Sequence, residues 1–129
     1  MIVGFGSDII DNRRIKNTLD RFGQKFKNRC FSKNEIQKSE NRYQKVNFFA
    51  KRYAAKEACA KALGTGLAKG VFWKDIEVAN NKDGKPYILL HKKALSRLKK
   101  LTQSKYKIEV SLSDELDYSI ANVIIFNDK

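Results

Sequence analysis

The chain has 129 residues, 42% of them hydrophobic and 32% charged, with 27 Lys+Arg against 14 Asp+Glu and a formal net charge of +13. That length suits a single domain over residues 1–129 with one modest core, and the apolar fraction excludes a disordered chain. No apolar run approaches the roughly 18 residues of a membrane span, and the opening MIVGFGSD lacks the basic start and apolar stretch of a secretory signal. The expectation is a cytoplasmic protein that does not engage a membrane.

Such an excess of positive charge predicts an anionic partner: nucleic acid, a membrane surface, an acidic protein or a polyphosphate small molecule. Of the basic residues, 20 are lysines scattered along the chain, so solvated faces account for part of the charge. Cys30 and Cys59 are too few for a disulfide framework and read as buried free thiols in a reducing compartment. With His91 as the only histidine, a four-ligand zinc site is excluded, and a Cys–His catalytic pair has little support.

Ile2, Val3 and Phe5 form a short strand, broken by Gly4 and Gly6 and running into Asp8. Ile15, Leu19, Phe22 and Phe26 then make a helical stripe, backed by Arg13, Arg14, Lys16, Arg21, Lys25 and Lys27. Ser32 and Glu35 have capping-box spacing and open a second, short helix. The strongest helix signal runs from about Val46 to Leu63, without Gly or Pro, and stops at Gly64. Residues 65–70 read as loop. Ile76 and Val78, then Tyr87 to Leu90, flank the turn-rich 80–86 and make two strands. Ala94, Leu95, Leu98 and Leu101 mark a further helix. The alternating Tyr106–Leu112 and Tyr118–Ile125 make a terminal hairpin around a turn at Ser113–Asp117. Helices and antiparallel strands are mixed without βαβ regularity, so the class is α+β.

Glu57 and Lys61 lie four apart on the long helix and share a face, among Ala54, Ala55, Ala58, Ala60 and Ala62. A strand-end carboxylate at Asp8 and a helix carboxylate at Glu57 could hold one hard cation such as Mg²⁺, which completes its shell with water and substrate phosphates. The same residues also fit an ordinary surface pair and a helix cap, and spacing alone favours that ordinary reading. Asp11 fits a helix cap better than a place at the metal. The Gly64-Thr65-Gly66 turn could offer backbone N–H groups to phosphate or simply end the helix. It is neither a Walker A loop nor a dinucleotide-binding fingerprint. Phe48, Phe49, Tyr53, Phe72 and Trp73 read as packing rather than as a base-stacking platform.

The order of these motifs is distinctive. Ile2-Val3-Gly4-Phe5-Gly6-Ser7-Asp8, then Lys51-Arg52-Tyr53-Ala54-Ala55-Lys56-Glu57-Ala58-Cys59-Ala60-Lys61 running on to Gly64-Thr65-Gly66, then Asp75 to Val78, Gly84-Lys85-Pro86 and Ser111-Leu112-Ser113 resemble the holo-acyl-carrier-protein synthases, the short 4′-phosphopantetheinyl transferases. The resemblance spans essentially the whole chain. It implies that family's fold, a small antiparallel sheet packed with one long and two or three shorter helices. It also implies transfer of phosphopantetheine from coenzyme A to a serine of apo-acyl carrier protein, with release of 3′,5′-ADP. By matched positions, Asp8 and Glu57 would hold Mg²⁺ and Lys61 would contact the reacting phosphates. Arg52, Gly64, Thr65, Gly66, Lys85 and Pro86 would lie along coenzyme A, while Arg14 and Arg21 on the first helix would dock the carrier protein. Homotrimers with active sites between subunits are also implied. One departure stands out: Asp114 occupies a position where many members carry histidine, so Asp114 is left out of the catalytic set.

A small basic nucleic-acid-binding module would also explain the charge, and an inactive relative kept for interaction would explain Asp114. Neither explains Asp8, Glu57, Lys61 and the glycine turn arriving in one order.

Overall fold

The computed structural model describes residues 1–68 and 70–128, so Lys69 of the expected 65–70 loop lies outside the described residues. Its organisation begins with two glycines. β1 (Ile2–Asp11) runs under α4 (Lys45–Ala62) so closely that a Cβ on Gly4 would lie 2.0 Å from the Ala62 carbonyl oxygen. One on Gly6 would lie 1.9 Å from that of Ala58. Only glycine permits this approach. On the helix side, Ala54, Ala55, Ala58 and Ala62 are buried, and they supply the small surface that the strand needs.

β1 pairs antiparallel with β5 (Tyr118–Asn127), which pairs with β4 (Tyr106–Glu115), giving the order β1-β5-β4. The inner face sends Val110, Ala121, Val123 and Ile125 against α4. A second sheet is the hairpin of β2 (Ile76–Asn80) and β3 (Pro86–Leu90). Asn81 closes its turn by accepting from the backbone N–H groups of Asp83 and Lys85.

Several boundaries differ from the sequence reading. β1 does not stop at Asp8: Ile9, Ile10 and Asp11 continue the ladder opposite Ile120, Ser119 and Tyr118. The single stripe over residues 15–26 is two helices, α1 (Asn12–Phe22) and α2 (Gln24–Cys30), because Gly23 takes φ +52° between them. The break lets Phe26 pack edge-on against Phe31 at 5.7 Å and leaves Phe22 half exposed beneath the Arg21 guanidinium. The terminal turn is only Leu116 and Asp117, since the β4–β5 ladder reaches Glu115 opposite Tyr118. With α3 (Lys33–Ser39) and α5 (Lys92–Leu101), one long helix is joined by four shorter ones, and by a 3₁₀ turn at Trp73–Asp75. Among the described residues no helix is long and apolar enough to cross a membrane.

Both capping expectations hold. Asp11 accepts from the Arg13 backbone N–H at the start of α1, and Ser32 and Glu35 form the full reciprocal box at α3. Glu35 does more than the box requires. It is buried and also accepts from Lys56 Nζ at 2.8 Å and from the Val78 backbone N–H at 3.3 Å. It thereby ties α3 to α4 and β2. The wholly buried Lys56 also donates to the Trp73 carbonyl at 3.1 Å. Cys30 and Cys59 are free and buried, and burial pushes their thiols up to about 11 and about 12. They are inert packing at neutral pH.

Candidate functional site

The seam between β1 and α4 brings the two ends of the sequence signature together. Asp8 projects from the strand at the register of Ala121, and Glu57 and Lys61 come from successive turns of the helix. Lys61 Nζ donates to Asp8 Oδ1 at 3.1 Å and to the Ser7 carbonyl at 3.0 Å. The Asp8 side chain is 12% exposed and that of Lys61 52%, so the pair faces a partly open hollow. Ser7 Oγ donates to Asn122 Oδ1 at 2.6 Å and fixes the strand beside it. Asp8 is therefore neither a strand end nor a helix cap. Lys61 is not simply the partner of a surface Glu57, because its ammonium bridges helix and strand.

Glu57 completes the group. Burial first, then the neighbouring Asp8 charge and a hydrogen bond with Asp8, push its carboxyl above the ordinary glutamate range. The positive charges of Lys61 and Arg14 oppose that rise. Two carboxylates crowded together at a partly buried seam repel each other, and a shared proton or a cation relieves that repulsion. Their hard oxygen donors suit Mg²⁺, for which one or two protein carboxylates are enough. Among the described residues no group of three or more metal-ligating side chains occurs, so the rest of such a shell would come from water and substrate.

Glu57 and Lys61 line a hollow of about 220 Å³ with Gly66, Leu67 and Trp73. The Trp73 ring stacks on Tyr53 at 4.2 Å and 25°. Burial, followed by the Glu57 charge, pushes the Tyr53 phenol up to about 12, so it stays protonated beside the carboxylates. Tyr53 and Trp73 read from sequence as packing only. Here Trp73 is also a wall of the hollow, with Tyr53 stacked on it. Phe48 and Phe49 are core as expected, whereas Phe72 is 67% exposed and is not.

The Gly64-Thr65-Gly66 turn acts as the helix cap. Gly64 N–H donates to the Lys61 carbonyl, and the N–H groups of Thr65 and Gly66 both donate to Ala60. Gly64 and Gly66 have φ of +80° and +58°. All three N–H groups are thus engaged within the protein, and what the turn offers the hollow is the open space at Gly66.

The remaining expected residues lie elsewhere. Arg52 and Pro86 line a second hollow of about 430 Å³, together with Arg42, Lys51, Asn80 and Asp114. The Arg52 guanidinium is buried over the Phe48 ring at 3.9 Å and donates through Nη2 to Asn80 Oδ1 at 2.7 Å. Its Nε is 3.9 Å from Glu35 and has no hydrogen-bond partner among the described residues. Burial pulls the Arg52 pKa down to about 10, which still leaves it charged at neutral pH. Asp114 accepts from Asn47 Nδ2 at 2.7 Å and lies 3.5 Å from Lys51 Nζ. Lys85 pairs with Glu109 on β4 at 3.1 Å. Arg14 and Arg21 are exposed on α1, and the Arg14 charge reaches Glu57 and Asp11. The expected site residues thus divide between two hollows, one holding Glu57 and Lys61 and one holding the buried Arg52.

Comparison with known proteins gives this geometry a family. Residues 4–121 match the family model of the 4′-phosphopantetheinyl transferase superfamily. The holo-[acyl-carrier-protein] synthase of Rhizobium meliloti is 50% identical over 125 residues, covering 97% of this chain and 90% of that protein. The holo-[acyl-carrier-protein] synthase of Neisseria meningitidis superposes with a TM-score of 0.87 at 35% identity, covering 98% of this chain and 100% of that one. The Bacillus anthracis holo-(acyl-carrier-protein) synthase, in complex with CoA (3′,5′-ADP), superposes with a TM-score of 0.81 at 34% identity, covering 99% of each chain. The likeness in sequence and fold runs over nearly the whole chain: it belongs to the 4′-phosphopantetheinyl transferase superfamily.

Proposed function

We propose that this chain makes holo-acyl carrier protein at the Asp8–Glu57–Lys61 seam, with coenzyme A as donor and a Mg²⁺ ion held by the two carboxylates. The transfer itself is the activity of its relatives: the chain moves 4′-phosphopantetheine from coenzyme A to a serine of apo-acyl carrier protein and releases 3′,5′-ADP. The observation that carries the site assignment is the 3.1 Å contact of Lys61 with Asp8, beside a Glu57 that burial and then Asp8 hold above its ordinary range.

In the reaction the serine oxygen forms a bond to the β-phosphorus of the pyrophosphate. The bond from that phosphorus to the bridging oxygen breaks, and 3′,5′-ADP leaves with the electron pair. Attacker and target sit among negative charges, so repulsion is a large part of the barrier. Lys61 holds a fixed positive charge where the leaving phosphate gains electron density. Glu57, or a water held near Asp8, takes the serine proton. A bound Mg²⁺ supplies the charge neutralisation that two carboxylates and one ammonium cannot.

The Arg52 hollow takes the phosphorylated adenosine end of coenzyme A, with Pro86 and the Lys85 region at its rim. Its support is a buried guanidinium with a spare N–H donor, flanked by Arg42 and Lys51. The Gly64-Thr65-Gly66 turn leaves room for the chain of coenzyme A. Arg14 and Arg21 on α1 receive the acidic carrier protein, which places its serine beside Glu57.

The working form is a homotrimer, with the acidic hollow of one copy completed by the basic hollow of the next. Among the described residues no helix covers the outer face of the β1-β5-β4 sheet, which exposes Ile2 (67%), Phe5 (58%), Ile9 (60%) and Ile120 (39%). Contiguous apolar surface of this kind marks an interface. The two buried free thiols fit a reducing cytoplasm.

The test is release of 3′,5′-ADP from coenzyme A and apo-acyl carrier protein by the wild type and by Asp8→Asn and Glu57→Gln. The assignment requires loss in both variants with the fold intact by circular dichroism. Wild-type rates in both would refute it.

A further inference from the structure

A third hollow, of about 530 Å³, lies one residue away from the catalytic one and has no part in the chemistry above. Arg29 at the end of α2, Lys74 in the 3₁₀ turn, and Lys92 and Lys93 at the start of α5 line it, around the exposed ring of Phe72. Among the described residues Asp75 is the only acidic one on its wall, and that carboxylate is buried and accepts from the Phe72 backbone N–H. None of the four cations makes an ion pair among the described residues. Packing does not explain their placement. Lys92 and Lys93 occupy the first turn of α5, the end at which a helix favours acidic side chains, so their charges cost helix stability rather than add to it. A large exposed aromatic ring ringed by unpaired cations is an arrangement built for binding, not for folding.

Its position names the occupant. Phe72 and Trp73 are consecutive, yet Trp73 lines the catalytic hollow and Phe72 lines this one. The 3₁₀ turn packs on α2 and on α5, and α2 packs on α1, so a chain of packed elements links the α1 arginines to Lys93. A macromolecule whose serine enters at Glu57 while it lies on α1 is adjacent to this hollow as well.

We propose that the Arg29–Lys74–Lys92–Lys93 hollow is a second docking contact for the acidic carrier protein, receiving carboxylates on its cationic rim and an apolar side chain on Phe72. This inference rests on the reading that an acidic carrier protein is the acceptor. A second contact beyond α1 constrains the orientation of the incoming serine more than one helix face alone. Charge pairing at such a rim acts mainly on encounter rate and orientation.

The experiment measures transfer kinetics for Lys92→Glu/Lys93→Glu and, separately, for Phe72→Ser, with each substrate varied in turn. The expected result is a rise of about tenfold in KM for carrier protein in the charge-reversed variant, with KM for coenzyme A unchanged. That gap should shrink at about 0.5 M salt, where screening is nearly complete. A smaller rise in carrier KM is expected for Phe72→Ser, which adds no charge and guards against a folding defect in the double variant. A carrier KM within twofold of wild type in both variants overturns the proposal. So does a change confined to KM for coenzyme A, which would assign the hollow to the nucleotide. If wild-type protein transfers nothing to any carrier protein, the acceptor reading itself fails and the proposal falls with it. Normal wild-type transfer with unaffected variants sinks the second contact alone.

Discussion

Lys61 Nζ lies 3.1 Å from Asp8 Oδ1, so a side chain of the long helix and one of the first strand share a single charged site. Neither element could build it alone. The helix contributes Glu57 and Lys61 on one face, and the strand contributes the second carboxylate. The contact exists because Gly4 and Gly6 let the strand run against the helix backbone.

Each carboxylate is expected to be indispensable. Asp8→Asn and Glu57→Gln should each lower single-turnover transfer by at least about 100-fold, the usual scale for losing one group at a charged transition state. Lys61→Ala should lower kcat more than it raises KM for coenzyme A, because its charge matters most as the leaving phosphate forms. Rapid-quench kinetics separate these effects.

The strand–helix approach should be intolerant of even one methyl group. Gly6→Ala would press a Cβ into the Ala58 carbonyl, and backbone on both sides has nowhere to move. A loss of about 3 kcal/mol or more is expected from such overpacking. Urea denaturation measures it, and transfer activity should fall along with stability because Asp8 moves away from Glu57.

Much of this was legible in the sequence. The long helix, both hairpins, the Ser32–Glu35 box and the Asp11 cap follow from local patterns that the tertiary fold does not override. Asp8, Glu57 and Lys61 stand out from spacing as a possible cation site, but only the resemblance sets that reading ahead of an ordinary surface pair. What escaped was set by long-range partners. The ladder with β5 carries β1 past Asp8, and a positive φ at Gly23 divides the first helical stripe. Glu35 has three partners distant in sequence, at Lys56, Val78 and Arg52, and no local pattern can announce such a hub. The separation of Arg52 and Pro86 from Gly66 is likewise a property of the fold rather than of spacing.

A pH dependence follows from Glu77. Burial works to raise its carboxyl, but hydrogen bonds from Ser32, His91 and Asn34 outweigh burial and hold it below the ordinary 4.5. A depressed carboxyl stabilises the fold above its unfolded value, and that contribution is lost as pH falls through the lower folded value. Glu77→Gln should therefore cost about 1–2 kcal/mol at neutral pH, the scale of hydrogen bonds to a charged group. The gap should close on acidification below 4.5. Denaturation midpoints of both proteins across that range give the answer, and a gap that does not vary with pH would contradict it.

The uncovered sheet face should govern assembly. Phe5→Lys and Ile9→Lys place a charge among Ile2, Ile120 and their neighbours, on side chains that are more than half exposed in the single chain. The fold should survive, while sedimentation should move from a trimer to a monomer. Activity should fall with the trimer, because the basic hollow of the neighbouring copy is withdrawn. A trimer that persists in both variants would place the interface elsewhere.

Docking on α1 should be electrostatic. Arg14→Glu and Arg21→Glu should each raise KM for carrier protein by about tenfold at low salt, and by less as screening increases. KM for coenzyme A should respond less to Arg21→Glu than to Arg14→Glu, because the Arg14 charge reaches Glu57. Steady-state kinetics at two ionic strengths check both points.

The most direct test of the account is intact-protein mass spectrometry of apo-acyl carrier protein incubated with this chain and coenzyme A, in Mg²⁺ and in chelator. The account predicts a gain of one phosphopantetheine in Mg²⁺, abolished by chelator and by Asp8→Asn. The same gain in chelator, or in Asp8→Asn at the wild-type rate, would contradict the assignment of a cation to the Asp8–Glu57 pair.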